Sequence, residues 1–234
     1  MRQPVPGTTD VTAGEAAEHH LEVSRTARYW TLGDASEAED VWFVLHGYKQ
    51  LARRFLRRFE AIADRGRLIV APEALSRFYA DAEPGRHGPS SVVGASWMTR
   101  EDRLNEIRDY VAYLELVAET VLESPRSVTV LGFSQGAAAA ARWVTYGRVR
   151  ADRLVLWAGF MPHDLELERA AEAFSRVELV LVRGSEDPAL TAELAENERT
   201  ALDGAGVGYR TVTYQGGHEI DREALGTLVK ASEP

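Results

Sequence analysis

The chain has 234 residues, 45% of them hydrophobic and 27% charged, with no cysteine and a formal charge of −9. This is ordinary water-soluble globular composition with enough length for one sizeable core. The acidic balance argues against nucleic acid as a partner and against attraction to anionic membrane surfaces. The lack of cysteine excludes disulfides, thiolate metal ligands and a cysteine nucleophile.

No apolar run reaches membrane-spanning length and no signal-peptide core opens the chain, so the expected location is the cytoplasm without stable membrane insertion. Residues 1–15 carry Pro4, Pro6, Gly7, Thr8 and Thr9 with little apolar content, and are expected to form a flexible tail. Residues 16–234 then form a single domain. His20–Val23 and Arg28–Leu32 read as two short strands around a turn. His19 and His20 are adjacent, so on a strand they would face opposite ways, and they read as surface residues rather than metal ligands.

Val41–Leu45 is a continuous apolar run of strand length, as in a parallel strand buried on both faces. It ends in His46-Gly47-Tyr48. Leu51, Phe55, Phe59 and Ile62 follow at helical spacing, with Arg53, Arg54, Arg57 and Arg58 on the opposite face. Those arginines read as a solvated face, with a basic patch for an anionic substrate as the alternative. Leu68–Ala71 is the next strand, closed by Pro72. Glu73–Thr99 is the longest stretch without periodicity, and loops of that length are usually functional or disordered. Its apolar members Phe78, Tyr79, Trp97 and Met98 either wall a substrate pocket or pin the loop to the core.

Leu104, Ile107, Val111, Leu114, Ala118 and Val121 mark an amphipathic helix ending near Ser124-Pro125. A strand Ser127–Leu131 leads into Gly132-Phe133-Ser134-Gln135-Gly136, and a small-residue helical run, Ala137 to Ala141, follows. Strand Arg153–Ala158 precedes Gly159-Phe160-Met161-Pro162. A helix Leu165–Phe174 leads to strand Glu178–Val182, then to Ser185-Glu186-Asp187-Pro188. Helix Ala189–Leu202, strand Tyr209–Tyr214, the loop Gly216-Gly217-His218 and helix Arg222–Lys230 complete the chain. Alternating strands and helices predict an α/β domain: a mostly parallel central sheet with helices on both faces.

In such sheets functional groups gather at the carboxyl ends of the strands. His46, Ser134, Phe160, Asp187 and His218 all follow a predicted strand. Gly-x-Ser-x-Gly between a strand and a helix reads as a strained turn that holds a serine hydroxyl in the open. A serine nucleophile needs a base and a group to orient that base. Only His218 follows both the serine and a strand-end carboxylate. Asp187 supplies that carboxylate, with adjacent Glu186 as the competitor, and the order Ser, Asp, His suits this architecture. His218-Glu219 opens like a zinc-protease motif, but Arg222 stands where the second histidine would be. The two amides needed to hold a developing oxyanion fall to Gln135, just after the serine, and to Tyr48, after strand Val41–Leu45. Phe78, Tyr79, Trp97, Met98, Phe160 and Met161 are the candidates for substrate contact.

Leu45-His46-Gly47, Gly132-Phe133-Ser134-Gln135-Gly136, Gly184-x-x-Asp187-Pro188 and Gly217-His218-Glu219-Ile220 together resemble the α/β-hydrolase fold. More narrowly they are similar to the phospholipase/carboxylesterase family, which includes acyl-protein thioesterases and small carboxylesterases. The resemblance implies no large cap domain, no metal or cofactor, and hydrolysis of a small-molecule ester or thioester through an acyl-serine intermediate. Carried over, it implies that Ser134 is the nucleophile, His218 the base and then acid, and Asp187 its orienter, with oxyanion amides from Gln135 and Tyr48. Carboxylesters of small to medium acyl groups are the expected substrates, with thioesterase, lysophospholipase and dienelactone-type activities as alternatives. A non-catalytic binding protein on the same fold is the alternative from another class. Oligomeric state, monomer or homodimer, stays open. Three residues depart from the family pattern: Lys49 and Ala137 where glycine is frequent, and Met98-Thr99 after Trp97 where Phe-Asp is common.

Overall fold

A computed structural model describes residues 16–63, 66–81, 87–122 and 126–230. The expected tail at 1–15, the 82–86 part of the long loop and the Ser124-Pro125 helix stop lie outside the described residues.

Among the described residues, seven strands form the central sheet: β1 (Tyr29–Leu32), β2 (Asp40–Leu45), β3 (Arg67–Pro72), β6 (Ser127–Phe133), β7 (Arg153–Trp157), β8 (Glu178–Gly184) and β9 (Tyr209–Tyr214). Their spatial order is β1-β3-β2-β6-β7-β8-β9. β1 runs antiparallel to β3, and every other pairing is parallel.

Parallel strands need crossover helices, and those helices bury both sheet faces. The alternation of side chains along each strand shows this directly. Val41, Phe43 and Leu45 of β2 join one core, while Trp42 and Val44 join the other. In β7, Leu154 and Leu156 face the first core, and Val155 and Trp157 the second. Helices α2 (Arg103–Val121), α3 (Gln135–Tyr146), α4 (Leu167–Phe174) and α5 (Ala192–Gly204) contribute to the first core. Helices α1 (Ala52–Leu56) and α6 (Arg222–Lys230), with a 3-10 turn at Arg57–Ile62, cover the second. Arg53, Arg54, Arg57 and Arg58 are exposed, as a solvated helix face requires. No large cap domain sits over the sheet among the described residues.

Three local expectations change. His20–Val23 is not a strand. It is fully exposed, so its Leu21 and Val23 have no face to bury. The stretch Glu73–Thr99 contains a two-stranded antiparallel hairpin, β4 (Ser76–Tyr79) with β5 (Val93–Ser96). Ser, Arg and Gly at these positions hide the strand pattern, and what holds the hairpin is its docking on the loop after β2. There Lys49 N–H bonds Ala95 O at 3.0 Å, and Ala95 N–H bonds Gln50 O at 3.1 Å. Finally, Leu104 on α2 is exposed although it fits the apolar stripe.

Candidate active site

The turn between β6 and α3 is built by steric necessity. Ser134 sits at φ 55° and ψ −119°, a conformation that costs a side-chain-bearing residue on the order of 1–3 kcal/mol. Its amide continues the sheet ladder by bonding Trp157 O at 2.9 Å. The turn folds so tightly that a Cβ on Gly132 would lie 2.1 Å from Gly136 O, and one on Gly136 would lie 2.3 Å from Leu45 O. These are backbone atoms, which cannot step aside. Gly132→Ala is therefore expected to cost roughly 3 kcal/mol and lower the melting temperature by roughly 6–12 °C. A thermal melt within 2 °C of the parent would contradict this packing. Ala137, where the family often has glycine, is fully buried, and its methyl is accommodated because Gly159 beside it has none; a Cβ there would lie 2.6 Å from Ala137 Cβ.

Asp187 and His218 come together at the ends of β8 and β9. His218 Nδ1 is 2.7 Å from Asp187 Oδ2, and Asp187 Oδ1 accepts from Ala189 N–H at 2.9 Å. Both carboxylate oxygens are thus engaged on a buried side chain, the arrangement a buried charge needs. Pro188 follows Asp187 and removes a competing amide. Glu186 is exposed and makes no such contact.

The His218 loop is pinned from below. Tyr214 O–H reaches Gly217 O at 2.8 Å and Glu219 O at 2.7 Å, and Trp157 Nε1–H donates to Glu219 O at 2.8 Å. The His218 ring lies 4.9 Å from the ring of Phe133, the residue before Ser134. Among the described residues no hydrogen bond joins Ser134 Oγ to His218; such contacts commonly tighten only when substrate is bound.

The loop after β2 approaches the serine closely, since a Cβ on Gly47 would lie 3.2 Å from Ser134 Cβ. Its amides are nearly all committed. Gly47 N–H bonds Gln50 Oε1 at 2.9 Å, Lys49 N–H bonds Ala95 O, and Gln50 N–H bonds Gly47 O at 3.2 Å. Tyr48 N–H is the one amide of residues 47–50 with no protein acceptor among the described residues. Gln135 N–H, in the first turn of α3, has no intrahelical partner by construction and lies at the positive end of the helix. Lys49 adopts the left-handed conformation that glycine prefers, at φ 64°. Lys49→Gly is therefore expected to stabilise the fold by up to about 1 kcal/mol, measurable by urea denaturation; a destabilised variant would show that the lysine side chain matters more than its backbone.

His46 belongs to the scaffold. It is fully buried, donates from Nδ1 to Gly47 O at 2.8 Å and accepts at Nε2 from Ala74 N–H at 3.1 Å. Burial keeps its pKa below the ordinary histidine value, against the weaker pull of Gly47 O and Glu73.

A cavity of about 350 Å³ opens beside Gln135. Trp97, Met98, Phe160 and Met161 line it; Phe78 and Tyr79 do not. Phe78 stacks on Tyr48 at 5.3 Å, and Tyr79 stacks on His87 at 3.8 Å. Hairpin β4–β5 thus sets Phe78 against the loop after β2 and Tyr79 against His87, apart from the residues that line this cavity. The Gln135 side chain holds the cavity's edge: Nε2 donates to Ser96 Oγ at 3.1 Å and Met98 O at 2.9 Å, and Oε1 accepts from Trp97 N–H at 3.1 Å.

Residues 41–225 match the family model described as Serine hydrolase (FSH1). The chain belongs to this serine hydrolase family. Solved structures that this hydrolase resembles include the Zea mays acyl-protein thioesterase 2, at 19% identity and TM-score 0.66 over 88% of this chain and 97% of that one. Others are a phospholipase/carboxylesterase from Dyadobacter fermentans (16%, TM-score 0.62, 89% and 97%) and the Bacillus cereus carboxylesterase (15%, TM-score 0.63, 88% and 92%). At these identities they establish the α/β-hydrolase fold and match the phospholipase/carboxylesterase resemblance at that level. No curated protein matches the chain. Among the described residues of the hydrolase, no helix is long and apolar enough to cross a membrane.

Arg103, Arg142 and Asp164 of the hydrolase escape pattern reading. Arg103 and Arg142 line the cavity, and both hold the Asp164 carboxylate. Burial would raise the Asp164 pKa, but the two guanidiniums outweigh it and hold the group down to about 2. The signal available in the sequence is Arg142 itself, a charge placed directly after five alanines on α3.

Proposed function

We propose that this serine hydrolase cleaves carboxylic esters of small to medium acyl groups through an acyl-serine intermediate. The observation that carries this reading is the buried Asp187 carboxylate bonded to His218 Nδ1, at the same sheet edge as the exposed-side turn of Ser134. With Nδ1–H donated to Asp187, His218 Nε2 keeps a free lone pair. It accepts the Ser134 proton as Oγ attacks the ester carbonyl. The oxyanion that forms is held by Tyr48 and Gln135 amides. Collapse expels the alcohol, which takes the proton from His218. Water then repeats the sequence on the acyl-serine, releasing the acid and restoring Ser134. A cavity of about 350 Å³ beside Gln135, the residue after the serine, suits a small or medium acyl chain.

A fluorophosphonate probe tests the reading. It is expected to label Ser134 stoichiometrically, located by peptide mass, and to stop release of 4-nitrophenol from a 4-nitrophenyl ester. A protein that neither labels nor turns over such esters would instead be a binding protein on a hydrolase fold. Thioester cleavage is the second reading, favoured by the thioesterase among the fold neighbours; matched oxygen and sulfur esters of one acyl group separate the two.

A further inference from the structure

We infer that the acyl group this enzyme favours ends in an anion, a carboxylate carried at the far end of a short aliphatic chain; the inference rests on the esterase reading above. The cavity that begins at Gln135, the residue after Ser134, has a largely apolar wall with Arg103 and Arg142 as its charged members. Gln135, Ala138, Ala139 and Arg142 line it as one stripe of α3, the spacing at which residues share a helix face. Alanine makes that stripe a smooth floor, and Arg142 closes it.

Arg142 is only 4% exposed, and its side chain is committed to this end of the cavity. Nη2 donates to Asp164 Oδ1 at 2.6 Å, and Nη1 lies 3.4 Å from Tyr110 Oη and from Met98 Sδ. A single buried arginine paired with a single aspartate would be a neutral brace. Here Arg103, from the start of α2, reaches the same carboxylate, with Nε 3.1 Å from Asp164 Oδ2. Two guanidiniums share one carboxylate, and both line the cavity. Two other carboxylates nearby are already engaged, Glu198 by Arg183 and Met161 N–H and Glu106 by Thr99 N–H. Arginine thus stands at two positions of the lining against one shared carboxylate, inside a protein whose total charge is −9.

Burying a cation without a full counter-charge is unfavourable, and a bound carboxylate offsets it with charge-assisted bonds that the planar guanidinium fork is shaped to make. The reach is set by helix geometry. Arg142 Cα lies eight residues beyond Ser134, roughly 12 Å along the helix axis, and helical side chains lean back toward the N-terminus. A few methylenes between the scissile carbonyl and a terminal carboxylate span what remains. The substrate class is thus the half-ester of an aliphatic dicarboxylic acid, cleaved at its ester end.

The test compares esters of equal chain length and one leaving group: 4-nitrophenyl hexanoate against mono-4-nitrophenyl adipate, and the octanoate against the suberate half-ester. The wild-type protein is expected to prefer at least one half-ester by about tenfold in kcat/KM, chiefly through KM, with the preference shrinking as salt is raised. In Arg103→Gln and in Arg142→Gln that ratio is expected to fall to about one or below. Because each ratio is read within one preparation, loss of folded protein cancels, and the less buried Arg103 serves if the Arg142 variant does not fold. Equal or better turnover of the neutral esters by the wild type, or a ratio unchanged in Arg103→Gln, would overturn the inference while leaving the esterase reading intact. Turnover of neither ester, with no phosphonate labelling, would remove both.

Discussion

Ser134→Ala is expected to lower kcat for a 4-nitrophenyl ester by on the order of 10⁴-fold or more while leaving the melting temperature within about 2 °C of the parent. The two halves of this expectation have separate causes. The chemistry is lost because alanine has no oxygen to attack with, and the remaining groups only bind substrate and polarise its carbonyl. The fold is kept because the strain of the turn belongs to the backbone. Any residue with a Cβ at φ 55° bears a similar cost, and Ser134 Oγ makes no hydrogen bond among the described residues that alanine would forfeit. Steady-state kinetics and a thermal melt on the same preparation check both halves. A variant that retains a tenth of wild-type turnover would remove Ser134 as nucleophile.

Asp187→Asn should be nearly as damaging, with kcat falling about 10⁴-fold by comparison with the same change in other serine triads. The local hydrogen bonds say why. Ala189 N–H points at Oδ1 and requires an acceptor there. An asparagine satisfies it only by placing its carbonyl oxygen toward Ala189, which turns its NH₂ toward His218 Nδ1. The ring must then accept at Nδ1 and carry its proton on Nε2, the tautomer that cannot take a proton from serine. Fluorophosphonate labelling should slow in parallel, since it too needs an activated hydroxyl. If labelling by Asp187→Asn keeps the parent's rate, Asp187 is only a structural partner of His218.

The inner strands of the central sheet were legible because burial on both faces leaves an apolar run, and edge strand β9, only partly buried, because its residues are aromatic and β-branched. Val41–Leu45 falls within β2, and Tyr209–Tyr214 matches β9 in full. Ends were less legible: β6 extends through Gly132 and Phe133, and β8 through Arg183 and Gly184. Parallel pairing carries on into the motif residues, which composition alone marks as turn. The hairpin β4–β5 left little periodic trace because Ser, Arg and Gly stand in it and β5 is buried at three successive residues rather than at alternate ones. At the site, Gly132 and Gly136 could be read from chemistry, as close approach demands their bareness. Asp187 and His218 could be ranked by their positions after strands. The Asp164 pair of arginines could not, for it joins α2, α3 and the loop after β7, three segments distant in sequence. Phe78 and Tyr79 stand outside the cavity's lining, stacked on Tyr48 and His87, contacts that no pattern in the sequence announces.

Gln135 carries a consequence for anyone wishing to change what this enzyme accepts. Its amide nitrogen is the proposed oxyanion donor next to Ser134, while its side-chain amide ties down Ser96, Trp97 and Met98. The cavity's rim and the polarising amide are thus rivetted to one residue. The side chain at 98 can be varied in a library, because the rivet grips Ser96 and the main chain, whereas Trp97 is buried with its indole N–H on His46 O. Replacing Gln135 itself would instead retune selectivity and turnover together, so the two traits can be evolved independently only if that position is held constant.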